Sequence, residues 1–91
     1  MKTPYKFIGI IKFIEDEFVI IKPNGTEITK QLFTLQTIDD QILFLEVRND
    51  NVNYLKNVTS NTIVEILVTF EGSEKNQKRY NNLIVQKITL L

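Results

Sequence analysis

The sequence predicts an all-β domain, a small five-stranded barrel with one short helix, and three observations carry that reading. The apolar residues are mostly Ile, Leu, Val and Phe, with no Ala at all. Branched and aromatic side chains suit a pleated surface, and the helix formers that a bundle needs are scarce. Short runs alternate in polarity with a period of two and are separated by turn residues, as half-buried strands require. Only one interval, starting at Asn49, switches to helical spacing. A chain of 91 residues, 43% hydrophobic and near zero in mean hydropathy, has enough apolar material for one core and one domain spanning residues 1–91.

The first run, Tyr5 to Ile14, places Tyr5, Phe7, Ile11 and Phe13 on one face, with Gly9 between them. Lys6, Ile8, Ile10, Lys12 and Ile14 fall on the other. A glycine inside a strand marks a bend or bulge of the kind a tightly curved barrel uses. After the solvated turn Glu15-Asp16-Glu17 comes a short apolar run, Phe18 to Lys22, and then Pro23-Asn24-Gly25, the strongest turn signal in the chain. Thr26 to Thr37 reads as a long strand with Gln31, Phe33 and Leu35 on one face; after Asp39-Asp40, Gln41 to Arg48 reads as another with Leu43, Leu45 and Val47 inward.

Asn49-Asp50-Asn51 is a helix start by composition, since Asn and Asp caps accept hydrogen bonds from unpaired amides. Val52, Leu55 and Val58 then form one buried stripe of a short α-helix. Ile63 to Phe70 is a strand with Val64, Ile66, Val68 and Phe70 on one face. Gly72 to Arg79 reads as a polar, mobile connection. In the last strand, Tyr80 to Leu90, Leu83 and Val85 are in phase and Ile88 is not, so a bulge is expected between them. Three strands, a helix and two strands is the connectivity of the OB-fold, in which the helix between strands 3 and 4 plugs the barrel.

Composition excludes several chemistries. With neither Cys nor His, the chain has no thiol nucleophile, His-based triad, disulfide or ordinary zinc site. The three glycines are scattered and none opens a helix, so there is no phosphate cradle. The acids Glu15-Asp16-Glu17 and Asp39-Asp40 sit in turns, where solvation explains them. The sequence therefore predicts a non-enzymatic protein without a cofactor, metal or small-molecule substrate. No run approaches the ~20 apolar residues of a membrane span, and a cytoplasmic location without membrane association is the default. Eleven basic and eleven acidic residues balance, which argues against an affinity built on phosphate contacts alone.

Four segments carry a family resemblance: Lys30-Gln31-Leu32-Phe33-Thr34-Leu35, Leu45-Glu46-Val47-Arg48-Asn49-Asp50, Val64 to Phe70, and Lys78-Arg79-Tyr80. In these, the stretch from Lys30 to Ile88 resembles the single-stranded DNA-binding proteins of bacteria and phages. Within that family it is most similar to a small uncharacterised OB-fold group of Bacteroides-like bacteria and their phages. The resemblance implies a DNA-binding OB-fold used in DNA replication. Three features depart from the family: Arg48 stands where an aromatic ring is usual, Trp is absent, and the sequence ends at Leu90-Leu91 without an acidic tail. These departures point away from a housekeeping replication role rather than from DNA binding.

Single-strand binding needs flat groups on which bases stack and cations along a groove. The outer face of the first three strands offers Lys6, Lys12, Lys30 and Arg48, with Phe44 as its ring and Glu46 as its one acid. The connection between the last two strands adds Lys75, Lys78, Arg79 and Tyr80. The expected interface is therefore Lys30, Phe44, Arg48, Lys75, Lys78, Arg79 and Tyr80. In it, rings and Arg48 stack bases while Lys30, Lys75, Lys78 and Arg79 pair with phosphates; the partner is single-stranded DNA, with RNA as the other nucleic acid to consider. The competing reading is an OB-fold module whose same face binds protein. Ile8, Ile10, Ile14, Leu32 and Ile42 make that face apolar enough to need a cover. Either Phe18 to Lys22 folds over it or a second subunit does, and a homo-oligomer is expected.

Overall fold

In the computed structural model, which describes residues 3–91, alternation produces strands and turn residues end them. The strands are β1 (Tyr5–Ile14), β2 (Phe18–Ile21), β3 (Glu27–Thr37), β4 (Ile42–Arg48), β5 (Ile63–Lys75) and β6 (Lys78–Leu90). Five of them close on themselves in the order β1-β5-β6-β4-β3, with β1 returning to pair with β3. All contacts round the ring are antiparallel except β4–β6, a parallel closure through the single pair Glu46 and Ile84. This is the expected OB-type barrel, with β2 as an extra short strand on the edge of β3.

The core is the inward set of each strand: Ile11, Phe33, Leu35, Leu45, Val47, Val64, Ile66, Val68 and Val85 are at most 2% exposed. Burial on this scale, at roughly 25 cal/mol per Å² of apolar surface, is what holds a ninety-residue barrel together.

At Gly9, β1 is held by both of its neighbours. It pairs with Thr37 of β3 on one side and Val64 of β5 on the other. A Cβ there would collide with the Gln36 carbonyl oxygen and lie 2.9 Å from the Thr37 Cα, so close backbone approach makes this position glycine. The expected bulge is not at Gly9 but three residues on, where the register with β3 slips between Ile11 and Phe13. One extra residue reverses the phase of a strand. Ile14 consequently packs against the core and Phe13 is exposed, the opposite of uninterrupted alternation. The bulge expected in the last strand is present: Leu67 faces Lys87 and Val68 faces Val85, leaving Gln86 as the extra residue.

The turn at Asn24-Gly25 closes the β2–β3 hairpin through Lys22 N–H to Thr26 O (2.8 Å) and Gly25 N–H to Lys22 O (2.9 Å), with Gly25 at φ 86°. That is a three-residue loop in which only glycine sits comfortably at the left-handed position. β2 stays on the edge of β3 with all its side chains exposed and does not fold over the barrel face.

The helix differs in kind from expectation. Asn49–Leu55 winds as a 3-10 helix, not an α-helix, and Lys56 and Val58 N–H continue the pattern to Asn53 and Leu55 O. The buried residues Val52, Leu55 and Val58 recur every three positions, matching the three residues per turn of a 3-10 helix. Nor does Asn49 cap it: Asn49 takes φ 51°, Arg48 is the N-cap residue, and no side chain caps the start. The Asn49 Oδ1 instead accepts from Thr29 N–H (3.2 Å), a β3 amide beyond the last residue of β4.

The segment expected to be a mobile connection is ordered. β5 runs to Lys75, β6 begins at Lys78, and Asn76-Gln77 makes a two-residue turn with both φ positive (53° and 65°). This is the geometry that matches hairpin twist. The paired strands beyond Phe70 thus form an arm projecting from the barrel, and the Tyr5 and Phe70 rings pack edge to face (5.1 Å) at its base.

Candidate nucleic-acid interface

Register and alternation assemble one outer surface from β3, β4 and β6. On β3 it carries Lys30, Leu32, Thr34 and Gln36, opposite Arg48, Glu46, Phe44 and Ile42 of β4. The Glu46–Ile84 pairing joins this face to the outward residues of β6, and alternation carries it on through Asn82 and Tyr80 to Lys78 on the arm. Five of the seven expected residues, Lys30, Phe44, Arg48, Tyr80 and Lys78, therefore share one surface; Lys75, directly opposite Lys78, joins them. Arg79 does not. It lies on the other side of the ribbon beside Glu74 (3.9 Å), because successive residues of a strand point to opposite faces.

The two rings are accessible. Phe44 is 76% exposed and Tyr80 48% exposed, far more than a core aromatic, with Phe44 rimming a small cleft shared with Asn81 and Asn82. From Arg48 to Phe44 the surface runs four residues along β4, about 13 Å at ~3.3 Å per residue.

The cations fall into two cross-strand pairs with opposite surroundings. Lys30 faces Arg48, and Lys75 faces Lys78. Like charges directly opposite one another are destabilising. In the first pair the repulsion is relieved: Glu46 Oε2 lies 2.9 Å from Arg48 Nε and 3.4 Å from Lys30 Nζ, and Glu71 Oε2 lies 3.5 Å from Arg48 Nη1. The Glu46 side chain is only 9% exposed, and those of Lys30 and Arg48 are 19% and 22% exposed. Burial works most strongly against the guanidinium charge, yet the hydrogen bond to and charge of Glu46, followed by those of Glu71, outweigh it and raise the Arg48 pKa above its ordinary value. With Nε and Nη1 held by carboxylates, Nη2 and the planar faces of the guanidinium are what Arg48 has left to offer. In the second pair, neither lysine has a carboxylate partner among the described residues.

Glu46 reads in sequence as one acid among four cations on that face, and its share of the i, i+2 alternation with Arg48 was the signal of its role. Glu71 gives no such signal, because its approach to Arg48 depends on β5 and β4 meeting through β6. Lys6 and Lys12 belong to β1 and are engaged there, Lys6 with Glu65 (3.4 Å) and Lys12 with Asn61 Oδ1 (3.3 Å). Arg48 also lines a groove of about 670 Å³ with Asn49, Asp50, Thr69, Glu71 and Gln86. Among the described residues no cluster of acids is placed to hold a metal ion, and no helix is long and apolar enough to cross a membrane.

No protein-family profile and no curated protein matches the sequence. Solved structures do match it in shape. The mitochondrial single-stranded DNA-binding protein Rim1 of S. cerevisiae superimposes with a TM-score of 0.67 at 16% identity, covering 100% of this chain and 97% of that one. The second OB-fold domain of replication protein A from Methanococcus maripaludis gives a TM-score of 0.69 at 11% identity, covering 99% of this chain and 85% of its own. At these identities the similarity establishes the fold: the chain is an OB-fold domain.

Proposed function

We propose that the protein binds single-stranded DNA non-enzymatically and with little sequence preference. The observation that carries this reading is the Lys75–Lys78 pair, without a carboxylate partner among the described residues, on the same surface as the exposed rings of Phe44 and Tyr80. Flat rings bind any base through its π face, and cations beside them take the backbone. Phe44, Tyr80 and the plane of Arg48 stack bases. Lys75 and Lys78 meet phosphates, Arg79 reaches the strand only where it wraps round the arm, and Lys30 contributes only in exchange for Glu46. The shape shared with two proteins named for single-stranded DNA binding and replication supports the reading. The resemblance of the Lys30–Ile88 stretch implies the same function, and we propose with it membership of the narrower bacterial and phage group and a cytoplasmic site of action. RNA, which offers the same bases and phosphates, is the competitor to include. Fluorescence anisotropy with a labelled oligothymidine tests the proposal: affinity should fall as salt rises, and no binding at low salt would end it.

A second reading has its own observation. Phe18, Val19, Ile20 and Ile21 of β2 are all exposed along a free sheet edge, and Ile42 is exposed on the adjoining face. Exposed apolar edges invite pairing with another chain, so we also infer that the domain self-associates. Light scattering at micromolar concentration should show a species above the 10.7 kDa monomer; a monomer alone would remove this second reading.

A further inference from the structure

We propose that Glu46 is a specificity-setting residue that keeps phosphate off the sheet, so that β3 and β4 receive bases while the arm receives the backbone. This rests on the single-strand reading above and adds the orientation of the bound strand. Among the described residues, Lys30 and Arg48 are the only cations on the β3–β4 part of the face, and both point at one carboxylate oxygen, Glu46 Oε2. That carboxylate sits on a central strand, packed between the two cations and almost fully covered, so it cannot swing aside when a phosphate arrives. An incoming phosphate would meet a fixed like charge within a few ångströms and would have to share cations whose charge is already met. A neutral base meets no such barrier, and it gains the Phe44 ring and the flat face of Arg48. At the arm the situation is reversed. Lys75 and Lys78 repel each other with no acid among the described residues to relieve them, and a phosphate between them removes the repulsion.

The charge partition has a measurable consequence. Each phosphate neutralised on a single strand contributes about −0.7 to the slope of log K against log salt. Two arm lysines predict a wild-type slope of about −1.4 for an oligothymidine, with Lys30 and Arg48 contributing nothing. Anisotropy titrations at several salt concentrations would compare wild type, Glu46→Gln, Lys30→Gln and the Lys75→Ala/Lys78→Ala double variant. Glu46→Gln keeps the shape and one accepting oxygen while removing the charge, and it should steepen the slope by about 0.7 to 1.4 as one or both sheet cations become available. Lys30→Gln should leave the wild-type slope unchanged, and the double lysine variant should flatten it towards zero. A folded Glu46→Gln protein with the wild-type slope, or a Lys30→Gln slope shallower by about 0.7, would overturn the proposal while leaving single-strand binding intact. If Glu46→Gln does not fold, the Lys30→Gln slope decides alone. Absence of binding by the wild type would instead overturn the underlying reading, and the Glu46 assignment with it.

Discussion

The two cross-strand cation pairs of this barrel are built alike and solved differently. Lys30 and Arg48 face one another across β3 and β4, and Lys75 and Lys78 across β5 and β6. Near the barrel wall, where water is partly excluded, the repulsion is met internally by Glu46 and Glu71. At the tip of the arm, where water screens it, the repulsion is left standing. A fold must neutralise charges that it buries, and it can leave charges in solvent for a ligand to neutralise. The comparison thus separates cations that serve the fold from cations available to a partner, a distinction that a count of lysines and arginines misses.

Four groups of substitutions test the contrast between the two pairs. The largest effect on binding belongs to the uncharged groups between the pairs. Replacing Phe44 or Tyr80 by Ala should each cost about 1–3 kcal/mol of affinity for an oligothymidine, with little change in salt dependence. Anisotropy measures both quantities, and an unchanged Kd would place the bases on another face. Next comes the wall pair. Glu46→Ala should destabilise the domain by roughly 1–3 kcal/mol in denaturant unfolding, because it leaves two partly buried like charges facing each other. The cost stays below that of a fully buried pair, since Lys30 and Arg48 retain access to water. The arm pair should behave in the opposite sense. Lys75→Ala with Lys78→Ala should leave stability unchanged or raise it by a few tenths of a kcal/mol while removing most of the salt-dependent affinity. Loss of stability there would mean that the arm lysines have a structural partner. Smallest is Arg79→Ala, whose side chain lies on the far side of the ribbon beside Glu74. Its affinity should stay within about twofold of wild type, and a large loss would show that the strand wraps the arm.

Much of this architecture is legible in the sequence because alternation is a local property. Phe33 and Leu35, Leu45 and Val47, and Val64, Ile66 and Val68 go inward as their spacing requires. The β6 bulge is legible too, because the slip of phase between Val85 and Ile88 marks it in the order of residues alone. Where local reading fails, the cause is a neighbour. The bulge near Lys12 is set by the fit of β1 to β3, and it exchanges the places of Phe13 and Ile14. The polar composition of Gly72–Arg79 suggests a loop, but cross-strand pairing continues to the Asn76-Gln77 turn and makes it a ribbon. Asn49 has the composition of a helix cap, yet the unpaired Thr29 amide claims it.

The candidate site divides along the same line. Phe44, Tyr80 and the cations could be chosen from the sequence because stacking and phosphate pairing need those residue types. Their availability could not, since it depends on which acid lies opposite.

The strand count of the barrel, the place of its helix and the inward residue at most positions follow from the order of residues alone, because side-chain alternation and turn chemistry act over a few residues. The clamping of Gly9 between β3 and β5, the parallel meeting of β4 and β6 at Glu46 and Ile84, and the sharing of Glu46 by Lys30 and Arg48 arise only in three dimensions. Those contacts join residues far apart in the chain, and their charges act through space on whatever the fold brings near.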